Sequence, residues 1–198
     1  MRTIKVEQEE LLSDKVIEEV ARRIKEGEVI AYPTDTVYGL GCSSTADEPI
    51  ERVYRIKQRD KDKPLLVLVS DRKMASDFFH IDRRQQQVLD RYWPGPYTFL
   101  LREKGYLSSI LAGNDRIVGA RLPKNEFIIK MVNRVREPIV STSLNIAGRE
   151  ILTSPVDIEK EFSHCLPDLA VDIGRLTPKR TSTLMDITDP SNIKVLRE

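Results

Sequence analysis

The apolar positions of the chain fall into short blocks whose period alternates between that of a helix and that of a strand. Val16, Ile17, Val20, Ala21 and Ile24 recur at helical spacing, between a candidate N-cap at Ser13 and a left-handed stop at Gly27. This predicts a helix from about Ser13 to Glu26. Val29-Ile30-Ala31-Tyr32 then reads as a strand that Pro33 breaks. A second helix is expected near Pro49, with Asp47 just ahead of it and Ile50, Val53 and Tyr54 on one face. The unbroken apolar run from Leu65 to Val69 suits a strand buried on both faces.

Further along, helices are expected at 71–79 and 82–92, the latter opened by Asp82 with Gln85 three residues on, a capping-box pattern. Trp93-Pro94-Gly95-Pro96 must turn, and Tyr97 to Arg102 reads as a strand. Arg116 to Arg121 reads as another, and Asn125 can cap a helix carrying Phe127, Ile128, Met131, Val132 and Val135. Pro138 to Ser143 is a strand ending in hydroxyls, Ser154-Pro155 starts a further helix, and short strands near 169–173, 182–187 and 193–197 follow. There is no internal repeat. The alternation predicts one α/β domain on a mixed sheet flanked by helices.

Composition narrows the function classes. Lys and Arg total 32 against 31 Asp and Glu, so a net charge of +1 excludes a protein that binds polyanions by bulk charge. A local basic cluster is still allowed. Cys42 and Cys165, with His80 and His164, lack any metal-ligand spacing, so no structural metal is expected. No apolar stretch reaches the length of a membrane span, and the charged start MRTIKVEQEE has no signal-like apolar region. A cytoplasmic, reducing setting without a membrane partner is the expectation.

Candidate chemistry lies where strands end, the usual ligand position in an α/β sheet. After the strand at 29–32, Thr34, Asp35 and Thr36 offer two hydroxyls and a carboxylate, and Gly39 and Gly41 permit close backbone approach. A self-satisfied turn explains the same residues. Residues 52–63 hold Arg52, Arg55, Lys57, Arg59, Lys61 and Lys63 against Asp60 and Asp62, a local excess of +4. Lys57 continues the Ile50/Val53/Tyr54 stripe by one turn, so its ammonium should point inward. In extended chain near Pro64, Arg59, Lys61 and Lys63 would line one wall. Ser141-Thr142-Ser143-Leu144-Asn145 adds short donors, and Thr98, Arg121 and Ser182-Thr183 are further polar groups at strand ends. Together these suit a pocket for an anionic, hydroxyl-bearing ligand.

In order, the chain reads Pro33-Thr34-Asp35-Thr36-Val37-Tyr38-Gly39-Leu40-Gly41, Lys57-x-Arg59, Pro94-Gly95-Pro96-x-Thr98, Arg121-x-Pro123, Ser143-x-Asn145 and Ser182-Thr183. This set resembles the YrdC/Sua5 family of threonylcarbamoyl-AMP synthases from about residue 14 to the C-terminus. The resemblance implies a YrdC/RibB-like α/β domain, its twisted mixed or parallel sheet surrounding a positively charged cleft. A single such domain is expected over residues 1–198, without the added C-terminal domain of longer Sua5-type members.

The reaction implied is adenylyl transfer. L-threonine, bicarbonate or CO2, and ATP give threonylcarbamoyl-AMP and pyrophosphate. The product feeds a threonylcarbamoyl-transferase machinery that modifies adenosine 37 of tRNA. Mg2+ would sit mainly on the phosphates of ATP, and tRNA or double-stranded RNA is left open as a partner. By resemblance, Lys57, Arg59, Ser143 and Asn145 are the catalytic positions. Arg59, Lys63, Ser143 and Arg197 would hold ATP, while Thr34, Thr36, Arg121 and Ser182 would hold L-threonine. The chain departs from the family at Asp60, where proline is common, and at Leu144 and Ala147 in the string usually written STSANxSG. Leu144 is a feature of YciO-like paralogues, which tend to lose both the KxR and SxN pairs. Both pairs are intact here, so the synthase is expected. The alternative is a YciO-like paralogue that binds RNA or acts on tRNA without synthase activity.

Overall fold

The stripe Val16, Ile17, Val20, Ala21 and Ile24 folds as helix α1 (Asp14–Lys25), with all five side chains buried. Ser13 occupies the N-cap without a side-chain capping bond, and Gly27 takes the expected left-handed turn at φ +84°. The computed structural model that shows this describes residues 1–177 and 181–198. The remaining helices are α2 (Asp47–Lys57), α3 (Arg72–Phe78), α4 (Arg83–Tyr92), α5 (Ser109–Ala112), α6 (Glu126–Val135) and α7 (Ile158–Glu161). Asp82 and Gln85 close the expected capping box on α4, and Asn125 caps α6 through Ile128 N. The helix expected from Ser154 is shorter, a 3-10 turn over Pro155–Asp157 followed by the single turn of α7.

The strands are β1 (Arg2–Lys5), β2 (Ile30–Pro33), β3 (Tyr38–Ser43), β4 (Leu66–Leu68), β5 (Phe79–His80) and β6 (Tyr97–Glu103). They continue with β7 (Ile117–Arg121), β8 (Ile139–Ser143), β9 (Leu169–Asp172), β10 (Thr183–Asp186) and β11 (Lys194–Arg197). All join one sheet in the order β1-β9-β2-β3-β8-β4-β7-β6-β10-β11, with β5 paired to β6 off that path. Parallel pairs (β1/β9, β2/β9, β4/β7, β6/β10) mix with antiparallel ones, as the alternating pattern predicts. Pro33 ends β2 opposite Tyr38 instead of breaking the strand earlier.

Register divides the central strands into two faces. Leu40, Val140, Val67, Ala120 and Phe99 lie on one and are fully buried. The other carries Gly39, Ser141, Ser143, Leu66, Leu68, Gly119, Arg121 and Thr98, which line a cavity. The apolar run at 65–69 is buried on both faces apart from Leu66: Val67 faces the core, while the buried Leu68 and the half-buried Leu66 form cavity wall. Among the described residues no helix is long and apolar enough to cross a membrane.

The glycines of the first motif serve packing within the sheet. Tyr32 on β2 is fully buried, and its hydroxyl donates to Ser141 Oγ on β8 at 2.9 Å, so its ring spans the intervening β3. A Cβ on Gly39 would meet the Tyr32 ring at 3.0 Å, and one on Gly41 would meet Val140 O at 2.1 Å and the Tyr32 hydroxyl at 2.8 Å. The close approach anticipated at these glycines is thus made by a side chain of the protein itself. Gly41→Ala is expected to cost about 3 kcal/mol or more, because β8 backbone must move to admit the methyl. Urea denaturation checks this, and an unchanged midpoint would contradict the packing described.

Candidate functional site

The cavity has a volume of about 430 Å³ and lies over one face of strands β3, β8, β4, β7, β6 and β10. Two turns close its sides, residues 34–37 between β2 and β3 and residues 59–66 after α2. Arg59, Lys63, Arg121 and Arg197 stand on its lining against Asp35 and Asp62. Of the other positions singled out in the sequence, Thr34, Thr36, Ser143 and Ser182 also line it. Lys57 and Asn145 do not; they are packed behind Ser143.

Lys57 points inward, as its helical register requires, and is 1% exposed. Its ammonium donates to Ser143 O at 2.6 Å, Asn145 O at 2.8 Å and Asn145 Oδ1 at 2.9 Å. All three donors are used, and no carboxylate lies within ion-pair distance of it among the described residues. Burial among these neutral oxygens, and secondarily the nearby Arg59 charge, push the ammonium down to about 7. Ser143 Oγ also donates to Asn145 Oδ1, at 2.6 Å, and Asn145 Nδ2 donates to Arg149 O at 2.7 Å. Lys57 and Asn145 therefore hold Ser143 in place from behind the wall that Ser143 lines.

The basic segment is arranged differently from an extended wall. Gln58 caps α2 with φ +47°, and Lys63 N donates to Asp60 O, so residues 60–63 form a turn and alternate residues do not share a side. Arg59 and Lys63 reach the cavity, whereas Lys61 turns away to pair with Glu51 at 2.7 Å. The local excess of charge is largely compensated from outside the segment, since Arg52 binds Asp168 at 2.7 Å, Lys61 binds Glu51 and Arg55 lies 4.0 Å from Glu48. Arg59 has no ion-pair partner among the described residues and is held by Nε and Nη2 on Lys63 O and Pro64 O.

On the opposite wall, Arg121 at the end of β7 is bound through Nη2 to both oxygens of Asp35, at 2.9 and 2.7 Å. Its Nε donates to Gly95 O at 3.2 Å. Burial lowers the pKa of this guanidinium, with Asp35 opposing the effect. Ser182 Oγ lies 2.8 Å from Thr98 Oγ1, and Arg197 Nη2 donates to Ser182 O at 2.8 Å. Thr34 spends its hydroxyl on its own turn: it accepts from Thr36 N and Val37 N and donates to Val37 O at 2.5 Å. The self-satisfied turn is the better account of Thr34, which leaves Thr36 as the freer hydroxyl of that turn.

Asp35 stood in the first candidate segment without a role of its own, and neither its pairing with Arg121 nor the apolar floor of Leu66, Leu100, Ile117 and Leu184 was foreseen. For the floor a signal existed, because these residues alternate with core residues along β4, β6, β7 and β10. Asp35 and its partner Arg121 are 86 residues apart, and no local pattern joins them.

The Sua5_yciO_yrdC family model, described as "Telomere recombination", matches residues 22–198. A Methanocaldococcus jannaschii protein provisionally named threonylcarbamoyl-AMP synthase is 31% identical over 91% of this chain and 84% of its own. Pyrococcus abyssi Sua5, solved in complex with L-threonine, superposes with a TM-score of 0.85 at 27% identity. That match covers 96% of this chain and 55% of the Sua5 chain, so this chain spans about half of that relative. Escherichia coli YciO gives a TM-score of 0.85 at 27% identity over 100% of this chain and 94% of its own.

Lys57 makes stability depend on pH in a definite direction. The unfolded chain holds this proton up to the ordinary value of 10.5, and the folded chain releases it near 7. Between those values the unfolded state binds more protons, so Lys57 adds stability as pH rises through this window and withdraws it as pH falls toward 7. Urea midpoints between pH 7 and 9.5 are expected to show this contribution, and Lys57→Met is expected to lack it. Identical pH profiles for the two proteins would contradict the assignment.

Proposed function

Because the chain belongs to the Sua5/YciO/YrdC family, we propose that it is a threonylcarbamoyl-AMP synthase. The observation that carries this reading is the pairing, across one cavity, of unlike walls. Arg59 and Lys63 on one wall suit the phosphates of ATP, while Thr36, Arg121 and Ser182 suit a hydroxylated amino acid; Arg197, also assigned to ATP by the family resemblance, stands on the second wall, bound to Ser182 O. In the reaction, the threonine amine and CO2 (or bicarbonate) form a carbamate. A carbamate oxygen then attacks the α-phosphorus of ATP and pyrophosphate leaves. Charge accumulates on phosphate oxygens in the transition state, and fixed donors that already face those oxygens stabilise it without reorganisation. Arg59 fits this role because its Nε and Nη2 are anchored to backbone carbonyls while Nη1 makes no hydrogen bond among the described residues. Ser143, held by Lys57 and Asn145, lies on the wall between the two groups.

Among the described residues no group of three or more His, Cys, Asp or Glu side chains is gathered to hold a metal. Mg2+ enters the proposal on the phosphates of ATP, where it neutralises charge. The product would pass to a threonylcarbamoyl-transferase acting on tRNA.

The departures from the family pattern at Leu144 and Ala147 lie off the chemistry. Leu144 is fully buried and outside the cavity lining, with its N–H on Tyr38 O at 2.9 Å and its carbonyl accepting from Leu152 N. Ala147 N donates to Lys57 O at 2.8 Å, and Asp60 is engaged with Lys63. Leu144 and Ala147 leave the groups facing the ligand space unaltered, whereas Asp60 pairs with the cavity-lining Lys63. The equal structural likeness to YciO keeps one second reading, a YciO-like paralogue that binds RNA or acts on tRNA without synthase activity.

With L-threonine, bicarbonate and Mg-ATP the protein is expected to release pyrophosphate only when threonine is present. Arg59→Ala is expected to lower the rate on the order of 100-fold, the usual loss for one transition-state donor. Absence of threonine-dependent release overturns the proposal. Tight, salt-sensitive tRNA binding without turnover would establish the second reading.

A further inference from the structure

We propose that Asp35 is a specificity-determining residue that makes the cavity select a zwitterion over a plain carboxylate. The inference rests on the cavity being an amino-acid site and names how that amino acid is told from its analogues.

The side chain of Arg121 is 8% exposed and that of Asp35 20%, and both line the cavity. The contact between them is end-on: one nitrogen, Nη2, faces both carboxylate oxygens, and Nε is committed to Gly95 O. Among the described residues Nη1 has no hydrogen-bond partner. The ion pair therefore offers the cavity a positive N–H edge and a negative oxygen side by side. An α-amino acid carries its carboxylate and its ammonium on one carbon. Laid antiparallel along the pair, it places the carboxylate against Nη1 and the ammonium against Asp35, and the Asp35–Arg121 bond need not break.

A ligand with the carboxylate alone meets a different balance. It gains the Arg121 contact but brings a second negative charge close to Asp35, in a partly desolvated site where like charges repel strongly. Removing the ammonium thus costs the ligand twice, once in a lost charge-assisted hydrogen bond and once in uncompensated repulsion. Discrimination built on a repulsive element as well as an attractive one is the usual route to specificity. A lone arginine would bind any carboxylate of suitable size. The Asp35–Arg121 pair would not.

The test is calorimetric titration of the full chain, without ATP, with L-threonine and with 2,3-dihydroxybutyrate, which has a hydroxyl in place of the ammonium. The unaltered protein is expected to bind threonine about tenfold or more tightly than the analogue, the factor one charge-assisted hydrogen bond supplies. That comparison needs no variant. Asp35→Asn still accepts from Arg121 but carries no charge, and it is expected to bring the two ligands to within about twofold of each other. Asp35→Glu restores a carboxylate and is expected to keep the preference. A preference that survives intact in Asp35→Asn overturns the inference. So does an equal loss of both ligands in Asp35→Asn and Asp35→Glu, which would make Asp35 only a seat for Arg121. If the unaltered chain binds no threonine, the inference is overturned, while the proposed function fails only if threonine-dependent pyrophosphate release is absent as well.

Discussion

A buried lysine joins the two halves of this site. Lys57 ends α2, from which the basic turn departs, and its three donors end on oxygens of Ser143 and Asn145 where the chain leaves β8. Its own carbonyl accepts from Ala147 N, so backbone and side chain bind the same stretch. An ammonium buried among neutral acceptors is costly to desolvate, which weakens its hold on the proton, and the three hydrogen bonds offset part of that cost. The Lys57–Ser143–Asn145 cluster therefore sets where the phosphate-side wall stands relative to the sheet. Moving Lys57 would release Arg59 and Ser143 together.

The fold was largely legible because its elements announce themselves by period. The α1 stripe, the capping box at Asp82 and Gln85, and the hydroxyl-ended strand at 139–143 each carry local signals that the structure repeats. The inward direction of Lys57 followed from the same reasoning, one turn beyond Tyr54. Strand β3 was not legible as a strand: its Tyr38-Gly-Leu-Gly-Cys-Ser sequence is poor in strand formers, and what stabilises it is Tyr32 lying across the glycines. Strand β1 escaped because an exposed edge strand has little apolar pattern to read.

For the site, residue identity told more than arrangement. Eight of the ten positions singled out face the cavity, namely Thr34, Thr36, Arg59, Lys63, Arg121, Ser143, Ser182 and Arg197. What composition could not show is which charges are already answered. Lys61, Lys63 and Arg52 each find a carboxylate, and Arg121 finds Asp35 from a different part of the chain. These pairings depend on tertiary geometry, and the turn over residues 60–63 that follows the left-handed Gln58 carries Lys61 away from the cavity to Glu51.

The apolar floor has a bearing on what happens after bond formation. Leu66, Leu100, Ile117 and Leu184 give water no side chain to hydrogen-bond along that part of the cavity. For the reaction proposed, the product joins a carbamate to a phosphate as a mixed anhydride, a linkage that water cleaves. A surface that holds water poorly lengthens the life of such a linkage while it stays bound. The same leucines that cap the sheet would then act as a shelter, and the yield of intact product would depend on dryness as much as on speed.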